Sequence, residues 1–444
     1  MKSVLVLGAG LVTRPLVRYL LDSGFTVTVA SRTVSKAERL IDGHARGAAV
    51  ALLADDTEKL DRLVGEHDLA VSLLPAPLHP VVAKMCIKHK KAMVTTSYVS
   101  GAMKELDESA RQAGVMILNE IGVDPGIDHM SAMRVIDDVR ARGGEIVSFK
   151  SYCGGLPAPE ANDNPYGYKF SWSPRAVCTA GKNAARYRER GQEVKVPGRE
   201  LFAQVHYVEV EGLGELEAYP NRDSLIYLDL YGLQSIETMF RGTFRYRGWC
   251  ETLKAIVDLG LLEETGVTYP SGMTLAEFTT AFLRVATTGD LRKDLSKQLG
   301  IEAGSAILDR LEWLGLLSND PVPITGEETT PLDVLAARML EKMPYGEGER
   351  DMIVLCHYFT AKFPDGEGEE ITSTLIDYGR PGGDSSMART VSLPAAIGVK
   401  LILEGKIKKT GVHIPVTPDI YNPVLEELER QEIRCVEATK SLSA

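Results

Sequence analysis

From Ser3 to Leu7 the chain runs through Val and Leu with no polar break, the pattern of a strand buried on both faces of a parallel sheet. Gly8-Ala9-Gly10 follows at once. Leu11, Val12, Leu16, Val17, Leu20 and Leu21 then recur at helical spacing, Gly24 ends that helix, and Thr26–Ala30 reads as a second strand. The alternation continues with strands predicted at Leu69–Leu74, Ala92–Thr96 and Val115–Asn119. They end respectively in Pro75-Ala76-Pro77, in Ser97-Tyr98, and near Gly122-Val123-Asp124-Pro125-Gly126. Beyond about residue 125 the pattern changes. Glu145–Tyr152, the alternating Gln204–Glu211 and Leu225–Leu230 predict a second sheet. Residues 250–345 read as helical, with periodic stretches at Leu275, Phe278, Phe282 and Leu283 and at Ile307, Leu308, Leu311 and Leu314. Asp351–Phe363 and Glu370–Tyr378 flank a hairpin turn at Pro364–Glu369, and Leu393–Leu403 is an apolar helix. The Gly- and Glu-rich stretch Met343–Arg350 is the expected crossing point out of the helical region.

Composition adds limits. The chain has 444 residues, 44% hydrophobic and 25% charged, the balance of a globular protein of two or three domains. A net charge of −11 argues against nucleic acid or an anionic membrane surface as the main partner. The 6 cysteines show no Cys-x-x-Cys spacing, so neither a zinc site nor a disulfide framework is expected and a reducing compartment, the cytoplasm, is. The N-terminal apolar run is too short for a signal peptide, and no membrane span is expected.

The candidate chemistry starts at the glycine turn. Strand, Gly-x-Gly, helix and second strand together make a dinucleotide-binding unit. Gly8 permits the tight turn, and Gly10 lets backbone approach a pyrophosphate at the helix N-terminus. Thr13 stands where a third glycine is usual. The second strand ends in Ser31-Arg32-Thr33, without the carboxylate that binds a ribose 2′-hydroxyl. Arg32 can pair with a 2′-phosphate while Ser31 and Thr33 donate, so the expected cofactor is NADP(H). Ligands in such sheets lie at the carboxyl ends of strands, which points Ser72, Leu74, Ser97, Tyr98 and Asp124 at one crevice.

More specific text begins at Cys153-Gly154-Gly155-Leu156-Pro157-Ala158-Pro159-Glu160 and continues through Asn164–Arg175, Tyr219–Ser224 and Arg241–Tyr246. With Gly122–His129, these segments resemble the saccharopine dehydrogenase family of the NADP+, L-glutamate-forming kind over nearly the whole chain. The resemblance implies an α/β fold: a Rossmann dinucleotide-binding domain (1–124 and 389–444), a mixed α/β substrate-binding and dimerisation domain (125–250 and 351–388), and an α-helical insert (251–350). It also implies a reaction of lysine metabolism. The aldehyde 2-aminoadipate 6-semialdehyde condenses with the amine of L-glutamate, and NADPH reduces the imine, reversibly, to saccharopine.

The family's cofactor-contacting positions match Gly10, Leu11, Val12, Thr13, Ser31, Arg32, Thr33, Ser97, Val123, Asp124, Pro125 and Ser173. Its substrate-contacting positions match Ser97, Tyr98, Asp124, Arg222, Thr243, Phe244 and Arg245. A tricarboxylate substrate calls for fixed arginines, because the guanidinium fork binds carboxylates bidentately. Bland alternatives stand beside these roles: interdomain ion pairs for Arg222 and Arg245, a simple turn for Asn221–Asp223, a surface charge for Lys169. Asp124 and Tyr98 are the expected proton shuttles. Cys153 joins them as a catalytic candidate, although a thioester role would need a lowered pKa. No metal is expected, since His129 lacks matched ligands. A homodimer is expected. Two rival readings are a sister imine-reducing enzyme, such as carboxynorspermidine dehydrogenase, and a non-catalytic NADP(H)-binding protein.

Overall fold

The computed structural model describes residues 1–53, 55–324 and 328–442. The chain divides into two compact units, Met1–Ile146 with Leu355–Ala444, and Val147–Val354. It leaves the first unit inside the strand Glu145–Pro157 and returns inside the strand Asp351–Lys362.

In the first unit the glycine turn links β1 (Ser3–Leu7) to α1 (Arg14–Asp22). There follow β2 (Thr26–Ser31), α2 (Val34–Ile41), β3 (Gly47–Ala51), α3 (Thr57–Glu66), β4 (Leu69–Ser72), α4 (His79–His89), β5 (Ala92–Val94) and β6 (Met116–Leu118). The strand order is Gly411–His413, β6, β5, β4, β1, β2, β3, with every neighbouring pair parallel. Leu7 lies opposite both Ala30 and Ser72, so the carboxyl ends of β1, β2 and β4 finish level. Val4 to Leu7 are 0% exposed, as a doubly covered strand requires.

The helix expected at Leu393–Leu403 begins at Ser386, because Ser385 accepts the Ala388 amide and so starts it earlier. It packs on α1, and the Ser392 hydroxyl donates to the Val12 carbonyl. By length and composition it would pass as a membrane span, contrary to the sequence expectation, but 78% of it is buried inside the protein and it carries the buried Arg389–Asp377 ion pair. It is a core helix of this unit.

The second unit holds a mixed sheet. His206–Val210, Gly214–Pro220 and Thr238–Arg245 run antiparallel in succession, and Thr238–Arg245 lies parallel to Ser148–Cys153. The hairpin Ala185–Glu189/Gln192–Val196 also joins it. Helices then dominate, from Trp249–Leu259 to Pro331–Lys342. The strand expected at Leu225–Leu230 is instead a 3-10 turn, Ser224–Ile226, followed by the helix Tyr227–Tyr231. Asp223 accepts the Leu225 amide and starts the turn. Tyr227 and Tyr231, four residues apart, are buried and stacked at 5.5 Å, whereas Ile226 and Leu230 face solvent. The apolar residues there follow a helical period that the short run disguises.

Candidate active site

The glycine turn behaves differently at its two glycines. Gly8 has φ +113°, and a Cβ there would lie 2.9 Å from the Leu73 carbonyl oxygen. A Cβ on Gly10 would meet no protein atom within 4 Å. The space over Gly10 is therefore open, as close approach of a pyrophosphate requires. Thr13, in the place of the third glycine, is 0% exposed, and its hydroxyl accepts the Gly10 amide at 3.0 Å. It braces the turn from inside. Leu11, by contrast, is 72% exposed and Val12 half-buried.

A cavity of about 400 Å³ opens beside this turn. Gly8, Gly10, Ser31, Arg32, Thr33 and Leu74 all line it, with Leu52, Leu53, Leu78 and Val81 as apolar walls. Lys36 lines it too, a residue the sequence reading passed over. Thr33 precedes α2 and does not cap it with its side chain, so the helix N-terminus is left open to an anion. Two cations, two hydroxyls and a helix N-terminus fit a 2′-phosphate, and the apolar walls fit a base. These residues fit NADP(H).

Two substitutions test this cradle. Gly10→Val should abolish NADPH binding while leaving the melting temperature nearly unchanged, whereas Gly8→Val should also destabilise the fold. Unchanged NADPH affinity of the Gly10 variant by fluorescence titration would refute the assignment. Arg32→Asp and Lys36→Ala should each weaken NADPH and spare NADH, with Arg32→Asp costing roughly tenfold or more in affinity. Equal catalytic efficiency of the wild type with both cofactors would overturn the phosphate reading.

Further along the same strand ends, Tyr98, next to Ser97 in sequence, meets Asp124. The Tyr98 hydroxyl donates to Asp124 Oδ1 at 2.9 Å, and both residues are half-buried. Asp124 stands in a closed turn in which the Gly122 amide donates to the Pro125 carbonyl at 2.8 Å and the Asp124–Pro125 peptide is cis. Val123 and Pro125 are buried in that turn. Gly126 has no alternative, since a Cβ on it would sit 2.0 Å from the Gly122 carbonyl oxygen. His129 is 0% exposed, and its Nε2 lies 2.8 Å from Glu120 Oε2. Glu120 Oε1 in turn accepts the Val99 amide at 2.9 Å, so this buried pair ties the Tyr98 loop to the helix after Asp124. Among the described residues no group of three or more His, Cys, Asp or Glu is placed to hold a metal ion.

A second buried histidine was not legible in the sequence. His79, the first residue of α4, is 2% exposed. Its Nδ1 lies 2.9 Å from Ser72 Oγ and its Nε2 lies 2.8 Å from Ser97 Oγ.

The remaining candidates belong to the second unit. Arg222 stands exposed at the apex of a turn with φ +54°, its carbonyl accepting the Arg186 amide at 2.9 Å. Asp223 pairs with Arg186, at 2.8 Å. Arg245 is 4% exposed, with its guanidinium 5.0 Å from the Tyr168 ring centre, 5.3 Å from Trp249 and 5.7 Å from Tyr219. Nη1 donates to the Phe244 carbonyl at 2.7 Å, and Nε has no partner. No described carboxylate pairs with it. Thr243 lies opposite Cys153 on the neighbouring strand, and Cys153 is buried. The Phe244 ring is 0% exposed and stacks on Tyr152 at 5.2 Å, which makes it a core side chain. Ser173 caps the helix Pro174–Ala180 by accepting the Ala176 amide. Lys169 is no surface charge: it is 5% exposed and bonded to Glu349 at 2.7 Å and Asp163 at 2.9 Å, two carboxylates that offset its burial.

Comparison with known proteins covers both units. Residues 4–118 match the saccharopine dehydrogenase NADP binding domain, and residues 122–433 match the saccharopine dehydrogenase C-terminal domain. The saccharopine dehydrogenase [NADP(+), L-glutamate-forming] of Schizosaccharomyces pombe is 42% identical over 98% of this chain and 99% of its own. The mitochondrial alpha-aminoadipic semialdehyde synthase of Bos taurus is 39% identical over 97% of this chain, which matches 47% of that longer protein. Among solved structures, the apo histidine-tagged saccharopine dehydrogenase (L-Glu forming) of Saccharomyces cerevisiae superposes with a TM-score of 0.89 at 40% identity, covering 100% of both chains.

Proposed function

This chain belongs to the saccharopine dehydrogenase family, and we propose that it performs the family's reaction with Asp124 and Tyr98 as its proton-handling pair. It is an NADP-dependent oxidoreductase that interconverts saccharopine with L-glutamate and 2-aminoadipate 6-semialdehyde. The observation that carries the residue assignment is the 2.9 Å bond from the Tyr98 hydroxyl to Asp124, at the carboxyl end of the sheet that also bears the glycine cradle.

When bound, NADP(H) supplies or accepts the hydride. Everything else falls to the chain. Asp124 takes the proton that the secondary amine of saccharopine loses on becoming an imine, and returns it in the reverse direction. Tyr98 holds the carboxylate in place through its hydroxyl. Arg222 offers an exposed guanidinium to a substrate carboxylate from a strained turn, the kind of backbone that persists where function demands it. Arg245 offers a buried one. Its cation, among three aromatic faces and with no carboxylate bonded to it among the described residues, is costly until a substrate carboxylate arrives. Cys153 lines this strand as a buried thiol.

The proposal includes a homodimer, and a cytoplasmic location in keeping with 6 buried cysteines outside any disulfide. The deciding experiment mixes the purified protein with saccharopine and NADP+. Cofactor reduction with release of glutamate is expected. Binding of NADP+ with no reduction would leave the non-catalytic reading, and reduction driven only by a substrate with fewer carboxylates would favour the sister enzyme.

A further inference from the structure

His79 itself has no part in the chemistry described so far. β4 ends in Ser72, α4 begins with His79, and the segment after β5 carries Thr95 and Ser97. The imidazole lies between them, with Ser72 Oγ on Nδ1 at 2.9 Å and Ser97 Oγ on Nε2 at 2.8 Å. Thr95 Oγ1 sits 3.4 Å from the same Nε2 and accepts the Ser97 amide at 3.3 Å. Ser72 is 0% exposed, Thr95 1% and His79 2%, whereas Ser97 is half-buried at the strand ends where the ligand is expected.

We propose that His79 is a positioning residue that acts through Ser97, holding the Ser97 hydroxyl in one orientation toward the bound ligand. The claim rests on the reading above that Ser97 contacts cofactor or substrate. A serine hydroxyl rotates freely in water, and a ligand that must order it gives up affinity. Here the oxygen is already held at short distance by a rigid ring whose other end is anchored. A neutral imidazole donates at one nitrogen and accepts at the other, so the directions of its bonds to Ser72 and Ser97 are coupled, and setting one sets the other. Burial pushes the His79 pKa down to about 4, which keeps the ring neutral near pH 7. The alternative role, a proton relay, needs an exit. The chain ends at Ser72, fully buried and bonded through its side chain only to His79 among the described residues. It therefore orients and does not conduct.

The test is a double-mutant cycle read in two ways, by the NADPH dissociation constant from fluorescence titration and by kcat/KM for saccharopine. Ser97→Ala alone should weaken at least one of these about tenfold. His79→Leu should cause a similar loss in the wild-type background and almost none in the Ser97→Ala background. Ser72→Ala, a smaller change at the buried far end, should repeat this pattern with a loss of a few-fold. It serves where His79→Leu does not fold. Losses that simply add in the double variants would overturn the positioning role, because His79 would then matter to the structure and not through Ser97. If Ser97→Ala changes neither quantity, the contact assigned to Ser97 is wrong and the inference falls with it. A nitrogen-15 spectrum should show one protonated and one bare imidazole nitrogen for His79 at pH 7. A doubly protonated ring would also overturn it.

Discussion

Asp124→Asn lowers kcat by at least ~10²-fold and removes one limb of the pH–rate profile. A single proton-transfer group contributes ~10²–10⁴-fold, and Asn keeps the size and polarity of the side chain while losing the ability to take a proton. Tyr98→Phe gives the contrasting result. It removes the hydroxyl that donates to Asp124 at 2.9 Å, so the limb should move without vanishing and kcat should fall less. If Asp124 only anchors its turn or a substrate ammonium, the Asn variant will raise KM and keep both limbs. If solvent carries the proton, neither variant will alter the shape of the profile. Steady-state rates across pH with saccharopine and NADP+ separate the three outcomes.

Arg245→Met raises the KM for saccharopine by roughly ten- to a hundredfold, the loss of a charge-assisted contact worth about 1.5–3 kcal/mol. The same substitution should leave the melting temperature unchanged or higher. The guanidinium is 4% exposed, and Tyr168, Trp249 and Tyr219 surround it; among the described residues its Nε has no partner and no carboxylate is bonded to it, although Glu217 stands opposite on the neighbouring strand. A buried cation with no carboxylate bonded to it carries a desolvation cost that a Met of similar length does not. Binding and stability should therefore move in opposite directions. A Met variant that melts earlier with an unchanged KM would make Arg245 a structural residue held by its aromatic neighbours. Arg222→Ala should likewise raise KM, since it removes an exposed guanidinium.

The parallel sheet was legible because its strands are covered on both faces, so that Val4–Leu7 and Leu69–Val71 read as apolar runs without interruption. The edge strand Gly47–Ala51 was missed for the converse reason. It is only partly buried, and its small residues carry neither period nor bulk. In the site, Arg32 was legible through a missing carboxylate, which a fingerprint can register. Lys36 reaches the same cavity from the first turn of the next helix, outside any fixed motif. His79 was harder still. Its partners Ser72 and Ser97 lie 7 and 18 residues away in sequence, and only the parallel alignment of β4 and β5 brings them to one ring. Conversely, Tyr227–Tyr231 was misread because five residues of alternating apolar character suit a strand and a short helix equally.

The nucleotide-binding unit is discontinuous, and that sets an order of events at the ribosome. Its first portion, to Ile146, emerges with α1 already formed in sequence but without Ser386–Leu403 to pack on or Gly411–His413 to extend the sheet. Roughly 250 residues, most of them the other unit's, must be made before the Ser386–Leu403 helix is complete, which at ~5–20 residues per second is a wait of ~12–50 s. During that interval Leu16, Val17 and Leu20, all 0% exposed in the finished protein, lack part of their cover. The nascent chain thus presents an apolar surface that a chaperone can hold, and a ribosome stalled before residue 386 leaves a fragment fit for proteolysis.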